Sequence, residues 1–182
     1  YKDVLKIDPE NSVAIDAMER IISNPEFKRD VAEILEPIYQ EMAAWSKLVG
    51  VYQIIADTEE EASRKVELLH KIANLYEAQE DEPEKAFATL GKALSIDPSD
   101  EQTQEELERL TRVLVLYEEL AGLFSEVVQK TDNFELKASY HLKIARIYEE
   151  QLHNMEEAIK HYRTVLDTDP LNIEAVTALE DA

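Results

Sequence analysis

The sequence lacks cysteine and is very poor in glycine. Its 182 residues include no Cys, three Gly and six Pro. The absence of Cys excludes disulfides, thiolate metal sites and cysteine nucleophiles, and it says little about the compartment beyond the absence of an oxidised framework. The localisation stays unknown, with the cytoplasm as our expectation. Glycine usage is far below the usual share of about 7%. Because Ala, Glu, Leu and Lys take its place, the composition is that of a helical protein.

Long apolar runs are also missing. None approaches the ~18 residues that a membrane span requires, and no signal-like segment opens the chain, so we expect no membrane partner. The chain starts at Tyr1 rather than at an initiator Met. We therefore interpret it as a processed or excised piece. The internal repeat described below adds the expectation that it is a slice of a longer array, or that it buries its ends by self-association.

Basic residues are scarce. The chain has 19 Lys and Arg against 40 Asp and Glu, which gives a net charge of -21. The acid is spread evenly, with 13 acids and 6 bases in residues 1–60, 13 and 6 in 61–110, and 14 and 7 in 111–182. An even spread is typical of solvated helix faces, and such a charge disfavours nucleic acid as a partner.

Catalytic motifs are absent as well. There is no Gly-x-Ser-x-Gly, phosphate-binding glycine loop or His-Glu-x-x-His. Glu67-x2-His70 and Glu150-x2-His153 have the spacing of helical di-iron sites, but they fall at different places in their helices and are expected by chance in so acidic a chain. We predict no enzyme activity, no cofactor and no metal, and keep a helical carboxylate metalloenzyme as a remote alternative.

What the sequence does contain is helical periodicity. Apolar residues recur every three to four positions, and no stretch alternates with period two, so we predict an all-α protein without a sheet. The predicted helices cover residues 1–7, 10–23, 25–43, 44–57, 59–80, 83–96, 99–112, 114–131, 133–152, 154–168 and 171–182.

The chain also repeats itself with an offset of 72 residues. HKIANLYEAQ at 70–79 aligns with LKIARIYEEQ at 142–151, and Asp97-Pro98 aligns with Asp169-Pro170. The register holds without a gap over about 70 residues, which indicates internal duplication.

Each unit of the duplication contains a spaced pattern of Tyr, Ala, a large side chain and Pro. It occurs as Tyr76, Ala86, Leu90, Pro98 and as Tyr148, Ala158, Tyr162, Pro170. This pattern resembles the tetratricopeptide repeat. The resemblance implies a right-handed α-solenoid superhelix of antiparallel helix pairs, here with about 10–11 helices. The whole of residues 1–182 is predicted to be a single array: a partial repeat and extra helix at 1–23, degenerate repeats at 25–57 and 99–132, tetratricopeptide repeats at 59–98 and 133–170, and the start of the next repeat at 171–182.

The sequence also predicts helix caps, one helix kink and two glycines inside helices. Asn24 is predicted to cap a helix with Pro25 at its first position, and Thr58 with Glu61 and Asn154 with Glu157 form predicted capping boxes. Asp8, Asp97 and Asp169 are predicted to end helices before proline. Pro37 is predicted to kink its helix, and Gly50 and Gly122 are predicted to lie inside helices where another backbone approaches closely.

The resemblance also implies a set of binding residues. In tetratricopeptide arrays, the second, fifth, ninth and twelfth positions of each first helix face a concave groove. Carried over to this sequence, these positions are Asp30, Glu33, Pro37 and Gln40; Glu67, His70, Asn74 and Glu77; Gln102, Glu105, Arg109 and Arg112; and Ser139, Leu142, Arg146 and Glu149. The family's chaperone-tail clamp is matched only by Asn74 and, in part, by Lys143, so such an adaptor is disfavoured.

These observations predict a non-enzymatic scaffold for protein–protein interaction. The N-terminal part of the predicted groove is acidic, which favours a partner protein or peptide with basic segments, while the C-terminal part carries Arg109, Arg112 and Arg146. The alternative is a structural spacer or self-association module that acts through exposed array ends.

Overall fold

The fold is all-α, as predicted. The structure is a computed structural model that describes residues 1–180. Within that range the chain forms eleven α-helices and no strand. The helices are α1 (Lys2–Ile7), α2 (Ser12–Ile21), α3 (Lys28–Glu41), α4 (Trp45–Asp57), α5 (Ala62–Ala78), α6 (Pro83–Ile96), α7 (Glu101–Leu114), α8 (Tyr117–Lys130), α9 (Phe134–Arg146), α10 (Met155–Thr168) and α11 (Ile173–Glu180), and a π-helical turn spans Ile147–Gln151.

The predicted helix over 171–182 extends to residues 181–182, which lie outside the described residues. Every other predicted helix matches an observed one to within a few residues, except that the predicted helix over 133–152 is divided into α9 and the π-helical turn.

The first compact unit comprises residues 1–97. In it α1 packs on α2, α2 on α3, α3 on α4, α4 on α5 and α5 on α6. Its core contains Leu35, Leu48 and Ile72, which are buried because each lies on the apolar stripe of its helix.

The second compact unit begins at Pro98. Here α7 packs on α8, α8 on α9, α9 on α10 and α10 on α11. Tyr140 is fully buried, donates a hydrogen bond to the Pro98 carbonyl at 2.6 Å, and meets the edge of the Phe124 ring at 5.0 Å between ring centres.

The two tetratricopeptide-like helix pairs, α5–α6 and α9–α10, are joined by the same turn. One residue of each turn has a left-handed backbone, Asp81 with φ 54° and His153 with φ 51°. The same backbone hydrogen bond closes both turns at 2.8 Å, from Glu82 N–H to the Tyr76 carbonyl and from Asn154 N–H to the Tyr148 carbonyl. The 72-residue repeat is therefore preserved in backbone detail.

Some predicted helix caps are confirmed. Asp8, Asp97 and Asp169 are the C-terminal caps of α1, α6 and α10. Asn154 accepts a hydrogen bond from the Glu157 N–H at 3.2 Å, as a helix N-cap should, but the reciprocal half of the predicted capping box is replaced, because the Asn154 N–H donates to the Tyr148 carbonyl.

Two other caps were predicted wrongly. Asn24 accepts from the Glu26 N–H in a turn, and α3 begins only at Lys28, because residues 22–27 take up turns instead of a helix. Thr58 donates to the Ile54 and Ile55 carbonyls, so its hydroxyl closes the end of α4 and does not start α5.

The prediction of close backbone approach at two glycines was also wrong. Gly50 and Gly122 do lie inside α4 and α8, but a Cβ atom at either position would have no neighbouring atom within 4 Å. Neither position needs glycine for space, so each glycine only weakens its helix.

Candidate binding clefts

The first cleft lies between α1 and α3 in the first unit. It has a volume of about 770 Å³, which is within the usual range for ligand sites. Its apolar side chains come from both helices, and Leu5 and Ile38 are buried at its base. The lining residues are Lys2, Leu5, Lys6, Pro9, Asp30, Glu33, Ile34, Pro37, Ile38 and Glu41.

The charged rim of the first cleft is mixed rather than purely acidic. Asp30, Glu33 and Glu41 come from α3, whereas Lys2 and Lys6 come from α1. Glu33 is held by Arg29 at 3.1 Å. Asp30 and Glu41 have no ion-pair partner among residues 1–180, so their carboxylates are available to a ligand.

Pro37 interrupts the hydrogen bonding of α3 beside this cleft. It lies inside α3 and has no N–H, so the carbonyl of Glu33 loses its usual helical donor. Both residues line the cleft. A ligand that carries positive charge finds the unpaired carboxylates of Asp30 and Glu41 in the same place.

The second cleft lies in the second unit, between α7, α8, α9 and the π-helical turn. Its volume is about 210 Å³, enough for one side chain of a partner. Tyr117, Leu120, Phe124 and Ile147 form its apolar wall. The other lining residues are Glu108, Thr111, Arg112, Lys143, Arg146, Glu150 and Gln151.

The cations of the second cleft differ in their availability. Lys143 pairs with Glu108 at 2.5 Å and lies over the Phe124 ring. Arg146 forms a two-pronged ion pair with Glu174 of α11, and this hydrogen bonding lowers the pKa of Glu174. Arg112 is exposed and has no ion-pair partner within the described range, so it is the cation that a ligand meets first.

A buried hydroxyl also lines the second cleft. Thr111 is only 1% exposed, and its Oγ1 has no hydrogen-bond partner in the part of the chain that the structure describes. The position 72 residues earlier holds Tyr39, whose hydroxyl donates to Glu19 at 2.6 Å. The hydroxyl of the first unit is thus satisfied, while that of the second is not, and an unsatisfied buried hydroxyl costs about 1–3 kcal/mol.

The structure gathers only part of the predicted groove into these clefts. Asp30 and Glu33 line the first cleft together with Pro37, and Arg112 and Arg146 line the second. Six further predicted residues are exposed on their helices outside both clefts: Gln40, Glu67, Asn74, Gln102, Glu105 and Ser139.

The remaining predicted residues are at least partly occupied within the protein. Arg109 pairs with Glu106 at 2.7 Å, and Glu149 accepts a hydrogen bond from the Tyr162 hydroxyl at 2.6 Å. Burial and this hydrogen bond raise the pKa of Tyr162. His70, Glu77 and Leu142 are half-buried.

Sequence reasoning missed the basic side of the first cleft and the hydroxyl of the second. Lys2 and Lys6 are one helical turn apart on α1, and this spacing was a readable signal. The predicted groove positions came from first helices alone, so α1 was left out. For Thr111 no signal existed, because its lack of a partner depends on tertiary packing.

We also searched the described residues for a metal-binding cluster and for a membrane-spanning helix. Residues 1–180 contain no cluster of three or more His, Asp or Glu side chains that could hold a metal ion. In the same range, no helix is long and apolar enough to cross a membrane.

One family model matches both copies of the duplicated pattern. The family model described as "Tetratricopeptide repeat" matches residues 66–100 and 138–170. No curated protein matches the chain in sequence. Among solved structures, the chain is similar to YrrB, described as a TPR protein with an unusual peptide-binding site, with 13% identity, 98% of this chain and 88% of that chain covered, and a TM-score of 0.43.

Proposed function

Since the tetratricopeptide-repeat model matches residues 66–100 and 138–170, we propose that the chain is a non-enzymatic scaffold of this family that binds segments of partner proteins in its two clefts. Stacked helix pairs of repeat proteins present extended surfaces to their partners. The single observation that carries the proposal is that both clefts contain residues from the predicted groove positions, Asp30 and Glu33 in one and Arg112 and Arg146 in the other.

The first cleft suits a peptide segment that combines an apolar side chain with Lys or Arg. Ile34, Pro37 and Ile38 offer apolar surface, and the unpaired carboxylates of Asp30 and Glu41 lie at the same cleft. Charged rim residues of this kind mainly increase the association rate, and their effect is reduced by salt.

The second cleft suits an apolar side chain beside a carboxylate. The apolar wall can take the side chain, Arg112 can pair with the carboxylate, and the Thr111 hydroxyl can bond to a polar group that reaches inside. The second cleft thus suits a negatively charged ligand group, whereas the first suits a positively charged one.

The first cleft is tested by reversing its unpaired charges. Asp30→Lys with Glu41→Lys keeps the Arg29–Glu33 ion pair. The control is Asp132→Lys with Asp167→Lys, which makes the same change in net charge at exposed positions outside both clefts. Binding of a labelled degenerate peptide library with fixed Lys-Leu-Lys is measured by fluorescence anisotropy at low salt. We expect the cleft variant to lose binding and the control to retain it; equal loss in both would contradict a site at this cleft.

The second cleft is tested in the same way with a library that has fixed Glu-Leu-Glu. Arg112→Glu is compared with Arg163→Glu, an exposed residue of α10. We expect only Arg112→Glu to weaken binding. If both variants bind as the original chain does, Arg112 does not contact the ligand.

A self-association module is the second candidate, and exposed apolar side chains favour it. Leu171, in the turn before α11, and Ile173, the first residue of α11, are 85% and 82% exposed. Sedimentation velocity over a wide concentration range decides this point. A strict monomer at all concentrations would exclude the second candidate and leave the first untouched.

A further inference from the structure

Two histidines meet between α9 and α10. His141 on α9 and His161 on α10 have their Nδ1 atoms 2.8 Å apart, and their ring centres are separated by 5.0 Å. Both side chains are half-buried. A hydrogen bond of this kind needs one ring to carry a proton on Nδ1 and the other to present a lone pair there. The contact therefore requires that at least one of the two rings be neutral.

The surroundings of the pair add little negative charge. Lys137 lies one turn before His141 on α9, and Lys160 and Glu157 act on His161 from α10. Tyr148 of the π-helical turn stacks on His161, with ring centres 5.9 Å apart and planes inclined by 16°. Among the described residues, the charged groups that shift the pKa values of the two rings belong to α9 and α10, and none of them to α8 or α11. One carboxylate thus faces two ammonium groups.

Burial lowers the pKa of both histidines, and the neighbouring His161 lowers the pKa of His141 further. A histidine with a lowered pKa in the fold stabilises the fold fully above its unfolded value of about 6.5. This stability is lost as the pH falls below that value and through the folded pKa, because protons then bind the unfolded chain more tightly.

The first repeat supplies an internal reference without this pair. The positions 72 residues before His141 and His161 are Leu69 and Thr89, both buried. Thr89 donates its hydroxyl to the Lys85 carbonyl at 2.7 Å. Neither residue titrates, although the helix pair around them has the same turn. The helix pair therefore does not need two histidines in order to form.

We propose that His141 and His161 form a proton-sensitive latch between α9 and α10, which loosens when the rings take up protons and then weakens ligand binding in the second cleft. A doubly protonated pair places two donors and two positive charges within hydrogen-bond distance, which replaces an attraction by a repulsion.

The route from the latch to the cleft is short. Tyr148, which stacks on His161, is followed closely in the chain by Glu150 and Gln151, and it is preceded by Ile147. These three residues line the second cleft, as does Arg146 at the end of α9. Loosening of the contact between α9 and α10 therefore acts directly on the wall of the cleft. This part of the inference rests on the proposed function.

The latch itself is tested without any ligand. The unfolding midpoint is measured at pH 7.5 and 5.5 for the original chain and for His141→Leu with His161→Thr, which introduces the residues of the first repeat. His161→Gln is a second variant that keeps a donor and an acceptor without titrating in this range. His153→Asn, at the exposed turn, is the control.

We expect acidification to lower the midpoint of the original chain and of the control by about 2–4 °C more than that of either latch variant. NMR of the imidazole resonances should show that both rings titrate below about pH 6.5. If the latch variants show the same pH dependence as the original chain, the latch is overturned.

The effect on the cleft is tested with the Glu-Leu-Glu library at the same two pH values, since carboxylates remain largely ionised at both. We expect the original chain to lose affinity several-fold at pH 5.5 and the double latch variant to keep it. If the original chain and the double latch variant lose affinity equally at pH 5.5, protonation of the two histidines does not regulate binding in the second cleft. Absence of library binding at both pH values would overturn that part together with the proposed site, whereas the unfolding midpoints would still decide the latch.

Discussion

The two tetratricopeptide repeats of this chain have the same backbone turn but different interiors. The first repeat buries Leu69 and Thr89 where the second places His141 and His161. The turns agree in their left-handed residue and in their closing hydrogen bond. This difference shows that the repeat pattern specifies how the helices pair, whereas the side chains between the helices can be titratable in one repeat and not in the other.

The clefts of the two compact units also differ, both in size and in the polar groups that have no partner. The first is large, and its unpaired charges among the described residues are the carboxylates of Asp30 and Glu41 and the ammonium group of Lys2. The second is small, and it has the guanidinium of Arg112 and the carboxylate of Glu150 without an ion pair in that range. Position 39 has a satisfied hydroxyl and position 111 an unsatisfied one. Among the described residues, the second unit thus contains one buried side-chain group without a hydrogen-bond partner, the Thr111 hydroxyl, at the position where the first unit has a satisfied one.

The largest effect is expected at Tyr140, whose counterpart in the first repeat is Leu68. Tyr140→Ala removes a fully buried ring together with its hydrogen bond to Pro98, and it should lower the free energy of unfolding by about 3–5 kcal/mol. Tyr140→Leu, which introduces the first repeat's residue, should cost about 1–3 kcal/mol. Urea unfolding measures both. A smaller cost for Ala than for Leu would show that the site is not packed as described.

The next effect concerns two equivalent turns that precede α4 and α8. Val115 and Ala43, 72 residues apart, have φ values of 59° and 51°. A β-branched residue is strained in this conformation, and Val115 is exposed, so little packing is lost with its side chain. Val115→Gly should stabilise the protein by about 1 kcal/mol, and Ala43→Gly by less. Thermal unfolding can rank the two, and destabilisation by Val115→Gly would mean that its side chain makes contacts worth more than the strain.

The smallest effect is expected at the two helical glycines. Gly122→Ala and Gly50→Ala should each add about 0.4–1 kcal/mol, because alanine reduces the entropy of the unfolded chain and its Cβ meets no atom. Matching gains at both positions would support the equivalence of α4 and α8. Destabilisation by Gly50→Ala or Gly122→Ala would indicate that another backbone does lie close to that glycine.

Most of the fold could be predicted from the sequence. Apolar periodicity, the 72-residue offset and the Asp-Pro pairs located the helices, since these features report local structure. The errors at Asn24 and Thr58 arose where a capping residue had two possible roles, and only the neighbouring turn decides between them.

Less of the candidate site could be predicted. The register of the repeat predicted binding positions at Asp30 and Arg112, which line the two clefts, but it could not show which of the other positions were engaged within the protein, as Glu149 is with Tyr162. The contact between His141 and His161 could not be predicted either, because it depends on how α9 and α10 cross. Contacts of this kind are set by tertiary packing and cannot be inferred from the spacing of residues in the sequence.

The most direct test of the proposed function is a crossed binding experiment with both peptide libraries. The original chain, the variant with Asp30→Lys and Glu41→Lys, and the variant Arg112→Glu are each titrated with the Lys-Leu-Lys library and with the Glu-Leu-Glu library at low salt. Two clefts of opposite charge predict that the first variant loses only the Lys library and the second loses only the Glu library. If each variant affects both libraries equally, or neither, the clefts are not the binding sites.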